Sequence, residues 1–376
     1  MKIGLITFHL SNNYGAILQT YALQTVLQNS GQTVEIINYS PPARISKNYL
    51  IGPLPKYNHK SSGLRYAAGI IYNFFQDLLN LSQKRHRRSY FHHFFAKYLQ
   101  LSNQQYNSYE ELLLAPPLYD FYLIGSDQVW NPRNTGGRLD PAYFLVFAGN
   151  DKASASYASS LGGFDPTNST EFKNLIQNVD RISVRESSSV PLIEAISGQK
   201  VTCVLDPTLL LSAGEWENIA LAPAKIHSDF ILVYQLGNNK VHNLAKQVAA
   251  HLHLPIKYIR YNTYPLKYKA SFVRIEEYVW LFSHASFVIT DSFHGTAFSV
   301  IHKKPFYTIQ NKGNHKRVLD FLTSLGIPDR LFINDAHIDN VDTFIDYDSV
   351  YEKLNLLRAA SFQYLDDILQ LSQEKI

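Results

Sequence analysis

Apolar residues in this chain fall into short runs, each followed by a polar turn and then by a segment with helical spacing. Lys2 to Phe8 is the first run and reads as a buried strand. Ala16 to Asn29 carries Ile17, Tyr21, Leu23, Val26 and Leu27 at helical spacing, with Gly31 as its stop. Thr33 to Tyr39 is the next strand, closed by Pro41-Pro42. Strand, helix and strand in this order predict a right-handed parallel βαβ unit. Residues 43–115 lack the alternation and predict two or three helices inserted over the first sheet. Further strands are predicted at Tyr119 to Ile124, Lys152 to Ala158 and Arg181 to Val184. From Lys200 the alternation returns, with strands at Lys200–Leu205, Phe230–Gln235, Ile256–Tyr261, Ser286–Thr290 and Phe306–Ile309. Helices are predicted near Asn238–His253, Ile275–Ala285, Thr296–Ile301 and Lys316–Leu325, and residues 351–372 predict a long terminal helix. The fold class is therefore α/β, with two Rossmann-like halves, no Gly/Ser linker and a site in the cleft between them. The expected boundaries are 1–188, with the insert at 43–115, then 189–345, and a terminal helix in 346–376 packing back on the first half.

The segment Ser286 to Phe306 carries the sharpest chemistry. It reads as strand, tight turn, helix and strand, with Asp291 and Ser292 as helix-start residues. This places His294 in the first helical turn at the carboxyl end of a strand, the edge where open α/β sheets bind ligands. A helix N-terminus favours an anion, and an imidazole beside it is a candidate proton donor; a His that only caps or packs the turn is the competing reading. Three other polar loops follow predicted strands: Ser11-Asn-Asn-Tyr-Gly15, Gly125-Ser-Asp-Gln-Val-Trp130 and Asp206-Pro-Thr208. Asn12, Asn13 and Gly15 either meet a ligand or serve the turn itself. Asp127 is a candidate acceptor for sugar hydroxyls, a general base, or a cap. Trp130 either stacks on a sugar ring or packs. Asp206, before Pro207, reads first as a turn residue. Arg185 ends a strand and suits either a bidentate clamp on carboxylate or phosphate or an ion pair with an interface carboxylate. His315, Lys316 and Arg317 open a later helix as another anion-attracting turn.

Composition narrows the function classes. With 376 residues and 45% hydrophobic residues, the chain suits about two domains. A net charge of +4 favours acidic ligands without implying nucleic acid. The single cysteine, Cys203, sits in the apolar run Val201–Leu205 and is expected to be a small buried hydrophobe. The adjacent pair His92-His93 lacks partners at ligand spacing, and neither a P-loop nor an HExxH motif is present, so no metal is expected. The N-terminus enters a strand without a signal peptide, and no apolar run reaches the ~20 residues of a membrane span. A cytoplasmic protein is expected. The basic-aromatic stretch Lys84 to Tyr98 is either an amphipathic helix with a solvated basic face or a segment resting on an anionic membrane surface.

Taken together, Asn12-Asn-Tyr-Gly-Ala-Ile-Leu-Gln19, Gly125-Ser-Asp-Gln-Val-Trp-Asn-Pro132, Ile182-Ser-Val-Arg-Glu186, Val204-Leu-Asp-Pro-Thr208 and Asp291-Ser-Phe-His-Gly295 resemble the polysaccharide pyruvyl transferase family. The resemblance runs in the family's order from Lys2 to about Leu325. It implies a GT-B-like fold of two Rossmann-like domains with an interdomain cleft. It also implies transfer of pyruvate from phosphoenolpyruvate, as co-substrate and with no separate cofactor, to a saccharide in surface-glycan assembly. The acceptor is expected to be polyprenyl-linked, with the protein cytoplasmic or peripheral at the inner face of the membrane. By the same resemblance His294 is the catalytic His and Arg185 the donor-binding Arg. Arg317, or Lys316 beside it, is the basic residue of the donor pocket, with Ser292 and Gly295 nearby. Asp127 orients or deprotonates a hydroxyl, and Asn12, Asn13, Tyr14, Gly15 and Trp130 lie on the acceptor side. Better-studied members carry an Arg two residues before the His; here that place is Ser292. A glycosyltransferase using a nucleotide sugar and a non-catalytic scaffold are the alternatives.

Overall fold

The computed structural model describes residues 1–41, 81–149, 151–224, 229–237, 240–259, 270–310, 315–333 and 340–374. The predicted helices over 43–80, the loop 311–314 and the His315 side chain lie outside the described residues.

The first half is built on β1 (Lys2–Ile6), β2 (Thr33–Tyr39), β3 (Leu101–Tyr106), β4 (Phe121–Ile124) and β5 (Ala153–Ser156). They form a parallel sheet in the order β3-β2-β1-β4-β5. The helices of this half are α1 (Tyr14–Asn29), α2 (Leu81–Tyr98), α3 (Tyr109–Leu114), α4 (Thr170–Ile176) and α5 (Val190–Ser197). β6 (Ile182–Val184) and β7 (Val201–Cys203) pair with each other and continue the sheet through isolated bridges to β5 and the chain just after it. The strand chain order reverses between β1 and β4, so the crevice of this sheet opens at the loops after those two strands.

The second half comprises α6 (Ala213–Glu217), β8 (Ile231–Tyr234), α7 (Lys240–Leu252), β9 (Ile256–Ile259), α8 (Ile275–His284), β10 (Phe287–Thr290), α9 (Phe293–Ile301), β11 (Phe306–Ile309), α10 (His315–Ser324) and β12 (Leu331–Phe332). Its sheet is parallel in the order β12-β11-β10-β8-β9. The reversal here lies between β8 and β10, which puts the segment from Asp291 to His294 at this second crevice. The architecture is GT-B-like, two Rossmann-like sheets each covered by helices.

One apolar core runs through both halves, joining α1 to α8 and α9. Tyr14 and Tyr278 stack with centroids 4.8 Å apart, and the Tyr14 hydroxyl donates to the Val273 carbonyl at 2.7 Å. Trp216 packs on Phe298 at 4.9 Å. α1 is buried on nearly every face because it lies between its own sheet and the second half. The terminal helix α11 (Tyr347–Glu374) returns from the second half to the first. Its Tyr364 hydroxyl donates to Ser156 of β5 at 2.9 Å, and its Ser361 hydroxyl accepts from the Leu205 amide at 3.0 Å. Among the described residues no helix is long and apolar enough to cross a membrane.

Two sequence-based expectations need correction. Leu101–Tyr106 was read within a helical insert, yet it is the edge strand β3. Its sequence, Leu-Ser-Asn-Gln-Gln-Tyr, buries only Ser102 and Tyr106 and so carries little apolar alternation. Pairing to β2, rather than its own pattern, makes it a strand. Cys203 was expected to be buried, but it closes the edge strand β7 and is exposed.

His302, at the end of α9, is buried, and its Nε2 has no partner among the described residues. Burial first, then the charges of Lys304 and His284, push its imidazole down to about 3 from 6.5. Below 6.5 the unfolded chain takes up a proton that the folded chain refuses, so stability falls as pH drops from 6.5 toward 3. The slope from this one group is up to about 1.4 kcal/mol per pH unit. His302→Phe keeps an aromatic ring against Phe298 and should flatten that part of the profile. Urea midpoints measured for both proteins between pH 7 and 4 check this; parallel profiles would show that His302 does not set the slope.

Candidate active site

The turn between β10 and α9 is fixed from several sides. The Asp291 carboxylate accepts from the amides of Leu236 at 2.5 Å and Gly237 at 3.0 Å, which pins the neighbouring loop after β8. Thr290 donates its hydroxyl to the Tyr234 carbonyl at 2.7 Å and accepts from the Ser292 amide at 3.0 Å. Ser292 is the N-cap and accepts from the Gly295 amide at 3.4 Å. A Cβ on Gly295 would lie 2.3 Å from Thr290 Oγ1, so helix and strand approach too closely there for any other residue. Ser292 and Gly295 thus shape the turn, while the first-turn amides of Phe293 and His294 have no acceptor within the helix.

His294 stands on this turn with its side chain 13% exposed. Its Nε2 is 3.5 Å from Asp206 Oδ2, an ion-pair contact rather than a tight hydrogen bond. Asp206 does more than shape its turn. Its Oδ1 accepts from the Thr208 amide at 3.0 Å and the Thr208 hydroxyl at 2.7 Å, and its Oδ2 accepts from Arg185 Nη1 at 2.7 Å. Burial alone would raise this carboxyl, but His294 and Arg185 override it and hold it well below the usual carboxylate range. Asp206 is therefore ionised wherever the protein is folded at ordinary pH.

Arg185 is enclosed, with 2% of its side chain exposed. Besides Asp206 it meets Glu186 Oε1 through Nε at 3.3 Å, and its guanidinium lies 5.2 Å from the Phe293 ring centroid. Burial would lower its pKa, but Glu186, Asp206 and Asp127 together raise it, so it stays charged. Its Nη2 is buried and has no partner among the described residues. Arg317 approaches the same Glu186 oxygen at 3.8 Å and is 13% exposed. Burial, then the Arg185 charge, pushes Arg317 down. Lys316 is exposed and pairs with no carboxylate among the described residues, so Arg317 is the helix-opening cation that joins the cluster. The chain of contacts runs Arg317, Glu186, Arg185, Asp206, His294. A cavity of about 280 Å³ lies against Arg185, Asp206, Phe293 and Arg317.

The first half closes on this cluster through the loops after β1 and β4. Thr7 donates its hydroxyl to the Ser126 carbonyl at 2.8 Å, joining the two loops, and Ser126 reaches Asp206 Oδ2 at 3.5 Å. Asp127 has φ of +85°, a left-handed conformation that side-chain-bearing residues rarely adopt. Its Oδ1 accepts from the Gln128 amide at 2.8 Å, and its charge acts on both Arg185 and Arg317. Asn13 is the N-cap of α1, its side chain accepting from the amides of Gly15 and Ala16. Asn12 offers its carbonyl to Arg87, whose guanidinium also lies over the Phe91 and Phe272 rings.

Gly15 touches the centre directly. A Cβ on it would lie 2.0 Å from His294 Nδ1. Gly15→Ala should therefore displace the imidazole from Asp206 and lower turnover at least about tenfold, since small misplacements of reacting groups are costly. The melting temperature, governed by a core this change leaves intact, should move little. Unchanged turnover would show that the ring relocates without consequence.

Two aromatic residues read as acceptor contacts are not in the cleft. Tyr14 is fully buried in the core shared by the halves. Trp130 is fully buried, donates its indole N–H to the Tyr143 carbonyl at 2.9 Å and stacks on Phe144, so its faces are closed to a sugar. Conversely, Asp206 and Glu186 hold the cluster together although neither stood out as chemistry. Their position at or just past strand ends was the available signal.

A model of a family described as polysaccharide pyruvyl transferase matches residues 13–313. The chain belongs to the polysaccharide pyruvyl transferase family. The family's matched stretch includes every residue of the cluster except Arg317, which follows just after it. Among curated proteins no match was found. Among solved structures the chain is similar to the UDP-GlcNAc 2-epimerase from Methanocaldococcus jannaschii, at 16% identity over 95% of this chain and 93% of that one, with a TM-score of 0.45. It is similar to the UDP-GlcNAc 2-epimerase from Neisseria meningitidis bound to UDP-GlcNAc, at 11% identity over 98% and 100%, with a TM-score of 0.46. It is also similar to the glycosyltransferase SnogD from Streptomyces nogalater, at 13% identity over 96% and 95%, with a TM-score of 0.38.

Proposed function

We propose that this transferase uses phosphoenolpyruvate to form a pyruvate ketal on a saccharide, a lipid-linked precursor of a surface polysaccharide, at the cytoplasmic face of the membrane. The observation that carries the reading is the meeting of His294, Asp206, Arg185 and Arg317 at the crevice of the second sheet, closed from the other side by Gly15. Family membership supplies the reaction class.

The donor carries a carboxylate and a phosphate. In this reading they meet Arg317, the spare Nη2 of Arg185 and the first-turn amides of α9. Ionised Asp206 favours the imidazole tautomer with hydrogen on Nε2 and stabilises the imidazolium. Nδ1, beside Gly15, then carries the exchangeable proton. His294 delivers that proton to the methylene carbon of phosphoenolpyruvate, making a methyl group and an oxocarbenium-like centre at the adjacent carbon. A sugar hydroxyl adds to that carbon, and its proton passes to a base, the role given to Asp127. The C–O bond to phosphate then breaks, a second hydroxyl adds with its proton passing to the departing phosphate, and the ketal closes with hydrogen phosphate released.

Fixed positive charges take the place a divalent ion would otherwise fill in balancing the donor. Phosphate release from phosphoenolpyruvate should therefore require a saccharide acceptor and persist in EDTA. Release abolished by EDTA and restored by Mg²⁺ or Mn²⁺ would overturn the metal-free mechanism. Saturable binding of a nucleotide sugar with none of phosphoenolpyruvate would overturn the donor assignment.

A further inference from the structure

A second cavity, about 630 Å³, opens at the carboxyl edge of the first sheet, between the strand ends and α2. Its size is that of a ligand cleft. β2 and β3 contribute Asn38 and Gln105, and α2 contributes Arg88, His92 and Phe95. Asn12 lines it too, from the loop whose other end, Gly15, abuts His294, so this groove and the cluster share one wall.

Its chemistry is lopsided. Arg88 and His92 are one helical turn apart, with Arg88 Nε donating to His92 Nε2 at 3.4 Å. Burial, then the Arg88 charge, pushes the His92 imidazole down, consistent with a neutral ring that accepts from Arg88. No Asp or Glu is among the described residues lining the groove, and none pairs with Arg88. A guanidinium without a carboxylate, facing a cleft lined also by the three carboxamide residues Asn12, Asn38 and Gln105, suits a ligand with both hydroxyls and a phosphate. Two other basic residues of this helix are placed differently: Arg87 is turned inward onto Asn12 and two aromatic rings, and Lys97 lies over Tyr98.

We propose that this groove binds the acceptor as a phosphate-linked saccharide, with Arg88 and His92 on the phosphate and Asn38 and Gln105 on the sugar hydroxyls. This rests on the reading that the first-half crevice takes the acceptor. It assigns the charged linkage of that acceptor to specific residues, and it makes a neutral free sugar a poor substrate.

The test is binding by calorimetry, without phosphoenolpyruvate or turnover, so its failure is separate from any failure of pyruvyl transfer. Inorganic pyrophosphate is titrated into the full chain carrying Arg317→Gln, which weakens the other anion site. Adding Arg88→Gln should weaken the remaining binding about tenfold or more, as expected for loss of a charge-assisted contact. Adding Lys97→Gln instead, on the same helix but away from the groove, should leave it unchanged. Competition by farnesyl diphosphate and by UDP then tells a lipid-linked from a nucleotide-linked phosphate, and displacement by either one supports the site. No pyrophosphate binding in the Arg317→Gln protein, or equal losses with Arg88→Gln and Lys97→Gln, would overturn the proposal.

Discussion

His294→Ala should abolish most turnover, by ~100- to 10,000-fold, the usual range for a positioned proton donor, while the protein stays folded. The fold should survive because the imidazole is not what holds the cluster. Asp206 keeps its 2.7 Å contact with Arg185 and both contacts from Thr208 when the ring is gone. The turn itself is held by Asp291, Thr290 and Ser292 through bonds that do not involve the ring. Steady-state phosphate release and a circular-dichroism melt on the same preparation separate the two effects. A variant keeping more than about a tenth of turnover would remove His294 from the proton-transfer step, whose loss should cost at least about a hundredfold. A variant that does not fold would show that the ring is structural, the other reading its position in the turn allowed.

Asp206→Asn should cost both stability and activity, for separate reasons. Breaking a buried ion pair by removing one partner costs about 3–5 kcal/mol; here Glu186 still faces Arg185, so the loss should fall at the lower end. Asn keeps an oxygen for the Thr208 amide, so the turn should persist. Activity should fall further than stability, because the imidazolium loses its counter-charge. The double variant Asp206→Asn/Arg185→Met removes the stranded charge as well. It should recover much of the stability and none of the activity. Urea unfolding reads the first effect and turnover the second; recovery of both together would mean that Asp206 acts only through folding.

The parts of the fold legible in the sequence are those whose signal is local. The strand–turn–helix from Phe287 to Ile301 announced itself because Asp291 and Ser292 are helix-start residues between an apolar run and a helix; in the structure Ser292 is the cap, while Asp291 pins the loop after β8. The first βαβ unit was legible for the same reason, with Asn13 capping α1. What was not legible depends on partners far along the chain. β3 is a strand because β2 offers it hydrogen bonds, not because of its own residues. Tyr14 and Trp130 sit in polar stretches that read as ligand loops, and only tertiary packing reveals that both rings are enclosed. Asp206 looked like a turn residue because a carboxylate after a strand usually is one, and Glu186 stood only as the residue after Arg185. Their second role needs Arg185, Arg317 and His294 to arrive from separate segments. The conformation of Asp127, left-handed at φ +85°, likewise has no signature in a non-glycine residue.

The most direct test of the account is the intact mass of the product. Incubating the protein with phosphoenolpyruvate and a phosphate-linked saccharide should yield an acceptor heavier by about 70 Da, one pyruvic acid less one water, as the proton-transfer route requires. One inorganic phosphate should be released for each product formed. An acceptor that gains a hexose, or any group from a nucleotide sugar, while phosphoenolpyruvate remains intact would contradict it.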